Sequence, residues 1–344
     1  MEGKRSNCIA LAAVLAALGA LLVCSQAALE SARAGLTLCA QMIVPSLLPF
    51  FMLSSLLQQL GLPGILGRLL SPVTQKLFGI GGAGASALLL GVTGGYPLGA
   101  DAVARLRRSG ALTREQAERA LAFCNNSGPA FFLGVAGGIV LGSTRAGLAL
   151  YCIHVLAALC AGILLAAPAP PPVAVRRAAP TPVPLSRAFP EAVGGSCAAL
   201  LQISGLVIFF SVLNSLADRV GLWNILSDFP AAKGLLSGIL ELTSGILQLS
   251  GPWEVRFLAC AFLLGWGGIC VHFQAASLWG PTGLRPHGYL TEKTLHGLLS
   301  LLFAAVYLHP NAAAICIAAG FSALCALFPA LRKKRTGNPR RGII

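Results

Sequence analysis

Eight apolar stretches of helix length constrain this chain more than any other feature. They lie near residues 8–28, 36–60, 119–142, 146–167, 188–217, 257–279, 295–309 and 312–331. A run of about 20 apolar residues is long enough to cross a bilayer as a helix. Two further apolar segments, near 79–100 and 234–250, are glycine-rich and interrupted. Each is predicted to enter the membrane and return on the same side, with its irregular backbone covered by protein or water. Only 10% of the residues are charged and 56% are hydrophobic, with a mean hydropathy of +0.78. Soluble chains carry about 25% charged residues, so lipid must cover much of this surface. The expected fold is an all-α polytopic membrane protein with about eight transmembrane helices, two re-entrant helical hairpins and an inverted-topology repeat.

Charge placement sets the expected orientation. The formal charge is +14, and the basic residues cluster between apolar spans with no aromatic interleaving. That pattern signals topology rather than nucleic-acid binding. With the N-terminus inside, 20 of the 25 basic residues fall on the inner side, Arg285 and Lys293 among them. The outer side holds Arg33, Arg145, Arg219, Lys233 and Arg256. Both termini are therefore expected in the cytoplasm. The first apolar run, Cys8–Val23, follows Lys4 and Arg5. It reads as a signal peptide or as a retained first helix. The many later spans, and its extension to Leu29, favour the helix.

The chain divides into five parts: an N-terminal helix (1–34), a first repeat (35–167), a proline-rich cytoplasmic linker (168–187), a second, inverted repeat (188–331) and a basic tail (332–344). Residues 44–61 (VPSLLPFFMLSSLLQQLG) align without gaps to 204–221 (SGLVIFFSVLNSLADRVG), and 88–95 (LLLGVTGG) to 238–245 (GILELTSG). The first repeat opens with a span running inward, the second with one running outward. That is the recurrent plan of secondary transporters.

Four helix breaks are predicted, two per repeat. GVTGGYPLGAD (91–101) forms the first hairpin tip, with Pro97 suited to start a half-helix. Thr113 and Gln116 form a capping box opening the next helix, which breaks at Asn125–Pro129. Glu241–Gly245 is the second tip, and Gly265–Gly268 breaks the helix after it. Half-helix N-termini aimed at one place suit an anion. The candidate substrate-binding residues are Thr93, Gly94, Gly95, Asn125, Asn126, Ser127, Thr243 and Ser244. The asparagines also fit a polar packing seam. Glu241, a carboxylate at membrane depth, is the candidate for a coupling ion; a tip reaching an aqueous vestibule would also accommodate it. His272 and Gln274 are secondary candidates, and His272 also fits a structural role.

The eleven cysteines include no C-x-x-C pair, and no P-loop, G-x-S-x-G elbow or metal-ligand cluster is present. No cofactor, metal or enzymatic activity is expected. The partners expected are a small anionic substrate and membrane lipid, including anionic lipid at RKKR (332–335). Homo-oligomerisation stays open.

With GVTGGYPLGAD, FCNNSGPAFFLG, LELTSG and GWGGICVHFQ, the chain resembles the YlbJ family of sporulation integral membrane proteins across about residues 36–330. Those carry the nucleoside-recognition Gate domain, itself similar to the concentrative nucleoside transporters. The resemblance implies a sporulation role in the outer forespore membrane, and movement of dipicolinate, a small aromatic dicarboxylate. A proton- or sodium-coupled nucleoside transporter and a non-transporting assembly protein for spore maturation stay open as alternatives.

Overall fold

A computed structural model describes residues 2–165, 183–226, 229, 231–310 and 317. All regular structure among them is helical. All of the predicted last span but residue 317, the basic tail and most of the proline-rich linker lie outside the described residues.

Helix α1 (Glu2–Val23) leads into α2 (Ser25–Leu38), which continues through a π-helical turn at Cys39–Ile43 into α3 (Val44–Gln59). Helix α4 (Leu62–Phe78) follows, where the sequence suggested no element. Next come α5 (Gly84–Gly94), α6 (Leu98–Arg108) and α7 (Arg114–Cys124), then a π-helical stretch at Phe131–Val140 and α8 (Thr144–Leu164). Beyond the linker lie α9 (Leu185–Arg219), α10 (Ala232–Leu240), α11 (Leu242–Leu247), α12 (Trp253–Trp266), α13 (Gly268–Trp279) and α14 (Tyr289–Leu308).

By length and composition, four helical stretches among the described residues can cross a membrane: Ser25–Gln59, Thr144–Leu164, Leu185–Arg219 and Trp253–Thr282. Their outward faces are apolar, with Leu53, Leu148, Leu156 and Leu201 exposed. A soluble monomer does not leave so much apolar surface in water. Helices α5 and α6 are 11 residues each. That makes them about 16 Å long, roughly half the hydrocarbon thickness.

The stretch Ser25–Gln59 runs antiparallel to α9. Gly35 lies against Ile208, Cys39 Sγ meets the Ser204 carbonyl at 3.9 Å, and Gln59 Nε2 donates to the Ala188 carbonyl at 3.5 Å. Rising numbers on one helix meet falling numbers on the other. Helix α12 packs on α14 where Gly265 meets Gly297 and Ser300. Small residues at such crossings let the backbones approach closely.

The capping box is present. Thr113 Oγ1 accepts from the Gln116 N–H, and Gln116 Oε1 accepts from the Thr113 N–H, both at 3.2 Å. Thr113→Ala removes the first of these and is expected to destabilise the protein by about 1 kcal/mol. A lowered thermal midpoint in detergent, with the elution profile unchanged, checks this.

Candidate functional site

Each of the four expected breaks coincides with a helix end. Helix α5 ends at Gly94, and the chain turns through Gly95–Pro97 into α6. Residues 125–128 are irregular between α7 and the π-helical stretch. Glu241 alone separates α10 from α11. Gly267, at φ +104°, separates α12 from α13 in a conformation that favours glycine.

In each half the hairpin grips the break that follows it. The α5–α6 pair closes on the Cys124 carbonyl, with Gly91 and Gly99 directly against it. Gly95 lies against Gly128. In the second half, Gly268 lies against the Gly238 carbonyl and Leu242. Glycine is needed at these contacts because backbone meets backbone, leaving no room for a Cβ.

Three of the breaks line one cavity of about 190 Å³. Thr93, Gly94, Gly95 and Tyr96 come from the first, Ser127 and Gly128 from the second, and Glu241, Leu242 and Thr243 from the third. Met42, Phe50, Phe131 and Val207 supply apolar wall, and Gln274 of α13 a further amide.

Of the candidates read from sequence, Thr93, Gly94, Gly95, Ser127, Glu241, Thr243 and Gln274 therefore meet at the cavity. The others do not. Asn125 and Asn126 are fully buried behind the wall. Asn125 Nδ2 donates to Tyr289 Oη at 2.8 Å, and Asn126 Nδ2 to the Phe123 carbonyl at 2.7 Å. Both side-chain oxygens lack a partner. Ser244 lines a second cavity with Ser31, Asn214, Asp218 and Trp223. His272 is wedged edge-on against Trp266 and Tyr289, with neither ring nitrogen hydrogen-bonded.

Glu241 is 2% exposed, and both carboxylate oxygens face the start of α11. One accepts from the Thr243 N–H at 3.1 Å, the other from the Ser244 N–H at 2.7 Å. It thus satisfies two donors that the break would leave orphaned. Glu241→Ala is expected to cost about 1–2 kcal/mol of stability, and Glu241→Gln, which keeps one acceptor, less. Thermal unfolding should rank wild type, Gln, Ala. Equal midpoints would show the cap to be inconsequential.

The sequence reading missed Lys293. It counts this lysine as an inner-surface charge, but its side chain is completely buried. Its Nζ donates to Tyr96 Oη at 3.0 Å and to the Asn125 carbonyl at 2.9 Å, and lies 3.0 Å from His296 Nδ1. Tyr96 Oη donates to the Leu264 carbonyl at 2.9 Å, so its lone pairs are free for the lysine. His296 Nε2 lies 3.0 Å from the His154 carbonyl, which can only accept, so in the neutral imidazole Nδ1 is the acceptor toward Lys293. His154 Nε2 accepts from the Ser127 N–H at 3.1 Å. Three groups thus converge on Lys293 Nζ, and none of them is a carboxylate. This cluster ties the first, second and fourth breaks to α8 and α14. Among the described residues no group of three His, Cys, Asp or Glu could hold a metal ion.

Residues 40–164 match the family model of the Gate domain, described as nucleoside recognition. The chain is 30% identical to the sporulation integral membrane protein YlbJ of Bacillus subtilis (strain 168), over 323 aligned residues covering 83% of this chain and 78% of the relative. No solved structure matches it. With its apolar helices, glycine-gripped breaks and this similarity along most of its length, the chain is an integral membrane protein of the YlbJ sporulation family carrying a Gate domain.

Proposed function

We propose that this protein is a secondary carrier that moves a small organic anion, dipicolinate, across the outer forespore membrane of a sporulating cell. The observation that carries the reading is the cavity at which three helix breaks meet. Broken helices facing a mid-membrane cavity are the recurrent substrate site of secondary transporters. At about 190 Å³ it is smaller than the roughly 300–1,000 Å³ pockets that hold drug-sized ligands, which suits a one-ring solute. The half-length α5–α6 pair supports a re-entrant hairpin. The antiparallel pairing of Ser25–Gln59 with α9 supports inverted halves with both termini cytoplasmic. The relative's name places it in sporulation.

Uptake of labelled dipicolinate by proteoliposomes, with and without a proton gradient, tests the reading. Gradient-stimulated uptake above empty liposomes is expected, together with spores low in dipicolinate when the gene is deleted. Normal spore dipicolinate in the deletion strain would sink it. The Gate description favours a second reading, a nucleoside cargo. Uridine uptake that dipicolinate fails to inhibit would establish that instead. Absence of any flux, with the sporulation defect retained, would point to an assembly role.

A further inference from the structure

We propose that Lys293 sets the charge of the cargo: in its protonated form it makes the Tyr96–Ser127 wall of the cavity favour an anion. This deepens the carrier reading and rests on it. An isolated charge inside a membrane protein is costly and marks a functional position by default. Lys293 is wholly buried, and none of the three groups around its Nζ is a carboxylate. Neutral acceptors solvate an ammonium but leave its positive potential in place.

That potential reaches the cavity through one residue. Tyr96 lines the cavity, and Lys293 Nζ sits 5.1 Å from the centre of its ring and 3.0 Å from its hydroxyl. Ser127, also on the wall, is held by His154, whose carbonyl in turn holds His296 beside the lysine. The cation thus stands directly behind the wall formed by the first two breaks.

Glu241 also lines the cavity, at the third break, with its two oxygens held by the α11 N–H groups. The lysine's attraction therefore belongs to the wall formed by Tyr96 and Ser127. Glu292 shares a separate small cavity with Arg119. A solute carboxylate at the Tyr96–Ser127 wall would meet the lysine's field through the Tyr96 side chain, in low-dielectric protein, where charges interact far more strongly than in water. A neutral solute gains nothing from it.

The experiment measures binding of dipicolinate and of its uncharged dimethyl ester to the purified full chain by calorimetric titration. Wild type, Lys293→Gln and Lys293→Arg are compared. Wild type should bind the dianion at least about tenfold more tightly than the ester. Lys293→Gln should lose that margin and Lys293→Arg keep most of it. No dianion binding by wild type, equal affinities for dianion and ester, or an undiminished margin in folded Lys293→Gln each overturns the assignment. If Lys293→Gln does not fold, Asn125→Asp, which sets a carboxylate beside the lysine, takes its place, and an undiminished margin there overturns the assignment. Vesicle uptake separates this from the carrier reading. Dipicolinate uptake that Lys293→Gln leaves unchanged removes the role of Lys293 and leaves the carrier standing. Charge-selective binding without uptake does the reverse.

Discussion

Replacing Gly99 with alanine is expected to abolish accumulation of the folded protein. A Cβ there would lie 1.8 Å from the Cys124 carbonyl oxygen, 2.6 Å from its carbon and 3.1 Å from Asn125 Cα. All three are backbone atoms, so no side chain can swing aside. Retreat of the Cys124–Asn125 backbone is blocked from the other arm of the hairpin. Gly91 lies on the same oxygen, where its own Cβ would also fall 1.8 Å away. Cys124 is therefore clamped between α5 and α6, and the break at Asn125 is held by that clamp. Overpacking normally costs about 1–3 kcal/mol because neighbours can shift. Here they cannot without opening the hairpin, so the cost should reach or exceed that upper end. Gly205→Ala is the control. Nothing lies within 4 Å of its Cβ, and it sits inside α9, where alanine is favoured by about 1 kcal/mol. Size-exclusion of a fluorescent fusion should show no monodisperse peak for Gly99→Ala and a full peak for Gly205→Ala. A normal Gly99→Ala peak would refute the clamp.

The breaks were legible because their causes are local. Gly94, Gly95 and Pro97 cannot continue a helix, and Asn125–Pro129 contains little that can. The capping box was legible for the same reason. What each broken residue faces was not, because facing depends on geometry beyond the motif. Thr243 and Ser244 are neighbours at the start of a helix, about 100° apart around its axis. One looks into the central cavity and the other into a different one. Asn125, at φ −89° and ψ 95°, is extended, so the stretch Asn125–Ser127 does not present all its side chains on one side. Helix α4 was hidden by its own composition. It carries Pro63 in its first turn and Pro72 within it, and proline ordinarily interrupts a helix interior.

Lys293 shows the limit most clearly. Its partners Tyr96 and Asn125 lie 197 and 168 positions away in the chain. Counting loop charges treats every lysine outside an apolar run as exposed. Helix α14 begins at Tyr289, before the apolar run near 295, and brings the lysine inside. A signal was present. Tyr289, Lys293 and His296 are spaced four and then three apart, which puts them on one helical face. A polar stripe on that face, next to an apolar helix, is the pattern of a buried network rather than of a loop.

The same network yields a sharper expected result. Asn125→Asp should fold well and yet lose anion binding. The change is nearly isosteric, and Asn125 is fully buried beside both Tyr289 and the lysine cluster. In the native protein Asn125 Nδ2 donates to Tyr289 Oη at 2.8 Å, and Asn125 Oδ1 has no partner. With aspartate, the tyrosine hydroxyl can reverse and donate to the carboxylate, so the hydrogen bond survives. A buried carboxylate alone would be costly, but Lys293 already holds the backbone carbonyl of the same residue at 2.9 Å. The new charge therefore arrives next to a cation whose other partners include no carboxylate, and attraction offsets its desolvation. That neutralisation also removes the field that would favour an anion in the cavity, so dipicolinate affinity should fall at least about tenfold. Asn125→Ala should behave in the opposite way. It leaves the Tyr289 hydroxyl without its donor, costing about 1–3 kcal/mol of stability, but it keeps the backbone carbonyl and the lysine's charge. Its anion affinity should stay within a few-fold of wild type. Thermal unfolding and calorimetric titration on the two variants thus separate charge from packing. If the aspartate variant folds and binds dipicolinate as tightly as wild type, the cavity does not sense the charge behind Tyr96. If the alanine variant keeps full stability but loses binding, Asn125 acts on the substrate itself, as the sequence alone suggested.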